Sequence, residues 1–228
     1  MDKNLKRRDF VKSAFTLGTL FFVPVKLKDF GQELPEVLII GDSISMGYGP
    51  VVKRLLEGKA TVSRPNENCE STQKGIVKLE EWLGNKKYKV IYFNFGLHDL
   101  KHVDAVTKEP SAKAQDPLLT DLPAYAANLT VIASKLKATG AKVIFATTTP
   151  VPEHPGTPLR EPFMPEKYNN VAKEVMAKEG IEVDDLYNLA LPQIKQIQIP
   201  DNVHYTPEGY ELLGKHIAAV ISKYLSQH

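Results

Sequence analysis

The sequence predicts an α/β fold, a three-layer α/β/α sandwich built on a five-stranded parallel sheet. Two observations support this prediction. Short apolar runs of the kind that buried parallel strands need recur along the chain. Between these runs lie segments whose apolar residues are three and four positions apart, the spacing of one helix face. Strands and helices that alternate in this way place helices on both faces of a parallel sheet.

Five segments are the predicted strands. Three are strong apolar runs, and two weaker ones complete the sheet. The strong runs are VLIIG (37–41), YKVIYFNFG (88–96) and KVIFATTT (142–149), and the weaker ones are ATVSR (60–64) and IEVDDLY (181–187).

Five helical segments are predicted between and after these strands. Glycine ends the first four, because it readily adopts the backbone conformation of a helix C-terminus. These glycines are Gly58, Gly84, Gly140 and Gly180. The last helix begins at Thr206-Pro207, which fits an N-cap followed by proline at the first helical position.

The first 33 residues are predicted to be an export signal with a short linker, and residues 34–228 a single domain. A basic start precedes an apolar run, Ser13–Val25, that is shorter than the roughly 20 residues of a membrane-spanning helix. The stretch RRDFVK (7–12) resembles a twin-arginine signal. The protein is therefore expected to be exported, periplasmic or extracellular, without a stable membrane anchor after signal removal. A disordered basic tail is the alternative.

The charge balance argues against a nucleic-acid partner. The formal net charge is +2, but residues 1–30 hold seven Lys and Arg against three Asp and Glu. The rest of the chain is near −2, whereas a nucleic-acid binder should present a basic face. Cys69 is the only cysteine, which excludes an internal disulfide and a cysteine-based metal cluster.

Ligands of parallel α/β sheets bind beyond the carboxyl ends of the strands. That rule selects four short segments and two long, polar, proline-containing loops that could wall a pocket. The segments are 41–43, 64–75, 96–99 and 147–150, and the loops are 100–117 and 150–166.

Ser43 is the candidate nucleophile. A serine hydroxyl needs a base to take its proton, and a histidine base works best when a carboxylate holds its other ring nitrogen. Asp201 and His204, three residues apart before the last helix, could supply that pair. Taken alone, a serine after a strand is more often a simple helix cap, and the pair Asp201 and His204 is what favours the nucleophile.

Together these residues resemble the blocks of the SGNH (GDSL) hydrolases. The blocks are Gly41-Asp42-Ser43, Gly96-x-His98-Asp99 and Asp201-x-x-His204, in that order. The resemblance implies a flavodoxin-like fold and ester hydrolysis through an acyl-enzyme on Ser43, without metal or cofactor. It also implies that His204 acts as general base and then acid, and that Asp201 orients it.

The implied oxyanion hole departs from the family pattern at two positions. The resemblance assigns it to Ser43, Cys69 and His98, where the family usually has glycine and asparagine at the last two. Any residue except proline can offer a backbone N–H, and a neutral imidazole can donate one hydrogen bond. His98 is therefore an oxyanion or substrate donor, or alternatively a structural residue.

Supporting roles are predicted for residues next to these blocks. Asp42 and Asp99 are expected to bond backbone N–H groups, and Asn94 to tie neighbouring loops together near Gly96. Arg160 could recognise a polar or anionic substrate, or could be a solvated loop charge.

Two other functional classes stay open. His98, Asp99 and His102 with Asp42 and Asp201 could bind a metal and hydrolyse a phosphate ester. A non-catalytic carbohydrate-binding module is the other. The favoured prediction is an esterase acting on a small acyl ester, with acetyl as the favoured acyl group, on a small molecule or glycan. Acyl transfer would use the same residues.

Overall fold

A parallel five-stranded sheet forms the centre of the computed structural model, which describes residues 33–226. The strands are β1 (Glu36–Ile40), β2 (Thr61–Ser63), β3 (Val90–Phe93), β4 (Lys142–Ala146) and β5 (Glu182–Asp184). Their order is β2-β1-β3-β4-β5, and every neighbouring pair is parallel. All four residues of β3 are fully buried, as a central strand covered on both faces requires.

Helices flank the sheet on both faces, so the predicted three-layer sandwich is confirmed. They are α1 (Ser43–Leu55), α2 (Thr72–Leu83), α3 (Leu122–Ala138), α4 (Met164–Glu179), α5 (Leu186–Ala190), a 3-10 turn (Leu191–Gln193), α6 (Ile194–Ile197) and α7 (Pro207–Leu225). Helix α1 packs against α7, while α3 packs against both α2 and α4.

The segment after β5 differs from the prediction. The weak strand predicted over 181–187 is only Glu182–Asp184, and the short helices α5 and α6 follow it. Asp185 ends the strand because its side chain accepts from the N–H of Asn188 and so caps α5.

Two glycines allow α1 and α7 to approach closely. A Cβ on Gly214 would lie 2.6 Å from Cβ of Val51, and a Cβ on Gly47 would lie 2.1 Å from the ring of Tyr210. This contact matters for the site, because α1 begins at Ser43 and α7 follows the loop that carries His204.

The predicted export signal, residues 1–33, lies outside the described residues except for its last one. The compact unit that contains the sheet begins at Leu34. Within residues 33–226, no helix has both the length and the apolar character needed to cross a membrane.

Candidate active site

Ser43 begins α1 directly after the end of β1, and its side chain is not the helix cap. Asp42 is the N-cap, and its Oδ1 accepts a hydrogen bond of 2.9 Å from the N–H of Ile44. The capping role that could have explained Ser43 therefore belongs to its neighbour. The Ser43 hydroxyl is left half-buried at the carboxyl edge of the sheet.

His204 lies against that hydroxyl. Its Nε2 is 2.9 Å from Oγ of Ser43, although the two residues are 161 positions apart. The loop before α7 is anchored by backbone bonds, from the N–H of Ile199 to the His204 carbonyl (3.0 Å) and from the N–H of Thr206 to the Ile197 carbonyl (2.8 Å). The fold thus brings the predicted nucleophile and base into hydrogen-bond contact.

The other ring nitrogen of His204 contacts Asn202, and the expected contact with Asp201 is not formed. Oδ1 of Asn202 is 2.7 Å from Nδ1 of His204 and also accepts the backbone N–H of His204 at 3.0 Å. This Asx-type turn places the amide beside the ring. Asp201 is exposed and has a positive φ of 55°, and no hydrogen bond joins it to His204 among the described residues.

Asn202 also fixes the tautomer of His204. Its Oδ1 can only accept, so Nδ1 of His204 carries the proton and Nε2 keeps its lone pair for the Ser43 hydroxyl. Burial lowers the pKa of His204, and the Arg160 cation lowers it further. The imidazole can therefore act as a neutral base at neutral pH.

His98 follows β3 and shares a cavity with Ser43 and His204. Burial is the main reason that the pKa of His98 falls to about 3, with smaller contributions from cations, first Lys101. Its Nδ1 is enclosed and has no hydrogen-bond partner among the described residues. A neutral ring of this kind has one N–H to donate, so the geometry allows a donor role.

Cys69 does not offer its backbone N–H to the cavity, which corrects the expected oxyanion role. That N–H donates to the carbonyl of Gly41 at 3.3 Å, because the loop passes beside the end of β1. The side chain is buried, and burial raises the pKa of the thiol to about 11. Cys69 is thus a packed, protonated thiol.

Asn68, which sequence reasoning missed, lines the cavity instead. Its Oδ1 accepts the N–H of Glu70 at 3.0 Å, a bond that leaves the Nδ2 amide free to donate. Asn68 and Glu70 form an Asx-type turn in which Glu70 has a φ of 53°. Asparagine favours such turns, so Asn68 was the sequence signal for this one.

The predicted supporting residues make structural contacts. Asn94 donates from Nδ2 to the Ala146 carbonyl at 2.8 Å and so joins the ends of β3 and β4. Asp99 is buried and accepts from both the backbone N–H and the hydroxyl of Thr72. Gly96 has a φ of 147°, and a Cβ there would lie 3.1 Å from the Thr148 side chain.

Asp42 and Arg160 are both buried charges. Burial raises the pKa of Asp42 to about 6. Arg160 is 7% exposed and donates from Nε to the Leu97 carbonyl at 2.8 Å, so the alternative of a solvated loop charge is wrong. Its pKa is lowered to about 10 by burial, an effect that Asp42 partly offsets.

The cavity that these residues share has a volume of about 400 Å³, within the usual range for small-molecule sites. It is lined by Ser43, Asn68, Leu97, His98, Pro155, Thr157, Pro158, Arg160, Asp201, Asn202, Val203 and His204. Of the two loops expected as walls, only 150–166 contributes. The 100–117 loop instead holds the 150–166 loop through backbone hydrogen bonds, from the N–H of His102 to the Leu159 carbonyl and from the N–H of Leu159 to the Ser111 carbonyl.

The residues of the metal alternative do not converge. His102 is buried, with its ring nitrogens against the Asp116 carbonyl and the Glu161 carboxylate. Within residues 33–226, no group of three or more His, Cys, Asp or Glu side chains is placed to hold a metal ion.

The sequence from residue 39 to residue 212 matches the family model of the GDSL-like lipases/acylhydrolases. The chain belongs to this family. The match covers most of the chain and includes Ser43 and His204, so this GDSL-family protein is an ester hydrolase of the SGNH type. No match to a curated protein was found.

Solved structures share the fold of this GDSL-family hydrolase at low sequence identity. A lipase/acylhydrolase from Enterococcus faecalis is 21% identical, with a TM-score of 0.69, over 83% of this chain and 96% of that one. The acetyl xylan esterase AlAXEase is 15% identical, with a TM-score of 0.66, over 82% and 99%. An acetyl-xylooligosaccharide esterase mutant from Geobacillus stearmophilus is 17% identical, with a TM-score of 0.64, over 86% and 96%. These similarities confirm the fold.

Proposed function

We propose that this GDSL-family hydrolase is an exported serine esterase that removes an acetyl group from a carbohydrate through an acyl-enzyme on Ser43. The observation that carries the proposal is the 2.9 Å contact between Oγ of Ser43 and Nε2 of His204 in a cavity of about 400 Å³. A serine, a neutral histidine and nearby donors are the groups that acyl transfer needs.

In the proposed reaction, Nε2 of His204 takes the proton of the Ser43 hydroxyl while Oγ bonds to the carbonyl carbon of the ester. The bond from that carbon to the alkoxy oxygen then breaks, and the proton on Nε2 passes to the leaving alcohol. Water repeats both steps on the acyl-enzyme, which releases the carboxylic acid and restores Ser43.

Three donors are proposed for the oxyanion that forms on the carbonyl oxygen. The N–H of Ser43 lies in the first helical turn, where N–H groups lack an intrahelical acceptor. Nδ2 of Asn68 and the ring N–H of His98 belong to residues that line the same cavity. Fixed donors of this kind are typically the largest single contribution to acyl-transfer catalysis.

The substrate and export parts of the proposal have separate support. A cavity of about 400 Å³ that is lined by polar side chains together with Leu97, Pro155, Pro158 and Val203 suits a small acyl group on a sugar. Two of the similar folds are those of an acetyl xylan esterase and an acetyl-xylooligosaccharide esterase, which makes acetylated sugars the first substrates to test. Export is supported by the basic and apolar pattern of residues 1–33.

Hydrolysis of p-nitrophenyl acetate by the full chain tests the chemistry. Ser43→Ala and His204→Ala should each lower kcat by about 1,000-fold or more, with or without EDTA. The matched controls are Ser134→Ala on α3 and His154→Ala on the 150–166 loop, both exposed positions that should keep the parent rate. A fluorophosphonate probe should add its mass to Ser43. An unlabelled Ser43, or full activity in Ser43→Ala, would refute the proposed mechanism.

Export is tested by fractionating cells that make the full chain. We expect the protein outside the cytoplasm in a shortened form, and a cytoplasmic, full-length protein when Arg7 and Arg8 are both changed to lysine. An unprocessed cytoplasmic parent would contradict export without affecting the esterase proposal.

A further inference from the structure

Arg160 is a buried cation that faces the candidate active site. It is 7% exposed and lines the same cavity as Ser43 and His204. Its Nε is engaged by the Leu97 carbonyl at 2.8 Å. The two terminal nitrogens, Nη1 and Nη2, make no hydrogen bond within residues 33–226, and they are not among the polar atoms sealed from solvent. Four N–H donors are therefore available to a molecule in the cavity.

No side chain of the described part of the chain forms an ion pair with this guanidinium. The ion pairs within residues 33–226 do not include Arg160. Asp42 is close enough to raise the pKa of Arg160, but its carboxylate forms no hydrogen bond or ion pair with the guanidinium, and its Oδ2 has no partner within residues 33–226. Asp201 lines the cavity but is exposed. Burying an unpaired charge is costly, so a partner from outside the chain is the physical reason to keep one here.

The surroundings of Arg160 favour an anion. Lys101 acts with Arg160 to lower the pKa of His98, so two cations contribute positive potential at this residue, whereas a third, Lys74, is paired with Glu67 and Glu70. Asp201 is the one acidic residue in the cavity lining. A guanidinium with two free terminal nitrogens fits a carboxylate, which it can bind through two parallel hydrogen bonds.

We propose that Arg160 binds a carboxylate on the alcohol half of the substrate, so that the ester cleaved at Ser43 belongs to an acetylated uronate rather than to a neutral sugar. The inference rests on the proposed function. Both groups line one cavity of about 400 Å³, so an ester and a carboxylate carried by one sugar residue fit the site together.

A matched pair of substrates tests this specificity. Methyl 2-O-acetylglucopyranoside and methyl 2-O-acetylglucopyranosiduronate differ only in the carboxylate, and acetate release by the full chain is measured for both at pH 7.5. We expect kcat/KM to be about 10- to 100-fold higher for the uronide, the range of a charge-assisted hydrogen-bond pair. Equal values for the two sugars would overturn the inference while leaving the esterase proposal intact.

Variants assign the preference to Arg160. In Arg160→Gln the ratio of the two kcat/KM values should fall to about 1. Arg160→Lys should keep part of the preference for the uronide, because lysine retains the positive charge but not the two parallel N–H donors of the guanidinium. Arg54→Gln is the control, since Arg54 is exposed and pairs with Glu211 away from the cavity. A preference that survives in Arg160→Gln would refute the assignment. If Arg160→Gln does not fold, the parent and Arg160→Lys still decide the question.

Two further arms separate the possible failures. If Arg160 instead serves an acyl-side carboxylate, mono-p-nitrophenyl succinate will be preferred over p-nitrophenyl butyrate, and the alcohol-side assignment is wrong. If every ester, including p-nitrophenyl acetate, is inert, the esterase proposal fails. Calorimetric titration of Ser43→Ala with methyl glucopyranosiduronate and methyl glucopyranoside then tests the anion site alone. The anion site is supported if Ser43→Ala binds only the uronide and the double variant Ser43→Ala/Arg160→Gln does not bind it. Equal binding of the uronide and the neutral glucoside by Ser43→Ala would overturn the inference.

Discussion

Asn202 holds the imidazole of His204 through a 2.7 Å contact between its Oδ1 and Nδ1 of the ring. An amide oxygen orients the ring and selects the tautomer as a carboxylate would, but it brings no negative charge to stabilise the imidazolium that forms during acyl transfer. Asn202 therefore orients the proposed base of this GDSL-family hydrolase without adding a charge beside it. The pKa of His204 is lowered by burial and, to a smaller extent, by Arg160.

Changing Asn202 should therefore cost more activity than changing Asp201. Asn202→Ala removes the ring contact and the bond to the His204 N–H, and kcat should fall about 10- to 100-fold, part of the 10²–10⁴ that general-base catalysis contributes. Asp201→Asn should change kcat by less than about 3-fold, because its carboxylate is exposed. Rates with p-nitrophenyl acetate check this, and the reverse order of effects would show that Asp201 takes over the ring contact in solution.

The acid limb of the pH–rate profile should lie below the ordinary histidine pKa of about 6.5. The neutral form of His204 is the base, so kcat/KM rises as pH increases through its pKa, which burial and then Arg160 lower. Removing the cation in Arg160→Gln favours the protonated ring and should move the limb to higher pH. Arg54→Gln should not move it. A limb at the same pH in Arg160→Gln would mean that Arg160 does not act on His204.

His98 should matter as a donor whose protonation does not change in the working pH range. Its pKa of about 3 keeps the ring neutral from pH 5 to 9. His98→Ala should lower kcat by about 100-fold, as loss of an oxyanion donor does, while His98→Asn should stay within about 10-fold of the parent because an amide can donate in its place. Equal rates in His98→Ala and the parent would assign His98 a structural role.

The sheet and the turn that carries Ser43 could be predicted because both depend on short, local sequence patterns. Uninterrupted apolar runs are what a strand buried on two faces requires. Strands β3 and β4 lie within the predicted runs 88–96 and 142–149, and β1 overlaps the run 37–41, beginning one residue before it. The contact between Ser43 and His204 agrees with the prediction that a serine nucleophile needs a histidine base and with the resemblance of the two blocks to the SGNH hydrolases.

The rest depends on backbone angles that residue spacing does not determine. Asp201 and Glu70 both have positive φ. Each lies in a loop where a nearby Asx side chain, Asn202 or Asn68, accepts a backbone N–H. These turns determine which side chain or N–H reaches the cavity. As a result Asn202, and not Asp201, contacts the His204 ring, and Asn68, and not Cys69, lines the cavity. The burial of Arg160 depends likewise on how the 150–166 loop folds, which its polar composition did not indicate.

Asp99 should make the protein less stable as pH rises. Burial raises its folded-state pKa from 3.8 to about 6, so the folded state binds the proton more tightly than the unfolded chain. That stabilisation is complete below about pH 4 and is lost as pH rises through about 6. Between pH 4 and 7.5 the free energy of unfolding of the parent should fall relative to Asp99→Asn by about 2–3 kcal/mol.

Urea unfolding of the parent and Asp99→Asn at both pH values measures this difference. Asp104 supplies a control of opposite sign, because N–H groups of Thr107 and Val106 lower its pKa. Its stabilising contribution is present above the ordinary aspartate pKa and is lost as pH falls, so Asp104→Asn should be the less stable protein mainly at the higher pH. A parent that gains stability relative to Asp99→Asn between pH 4 and 7.5 would show that the Thr72 hydrogen bonds outweigh burial at this carboxylate.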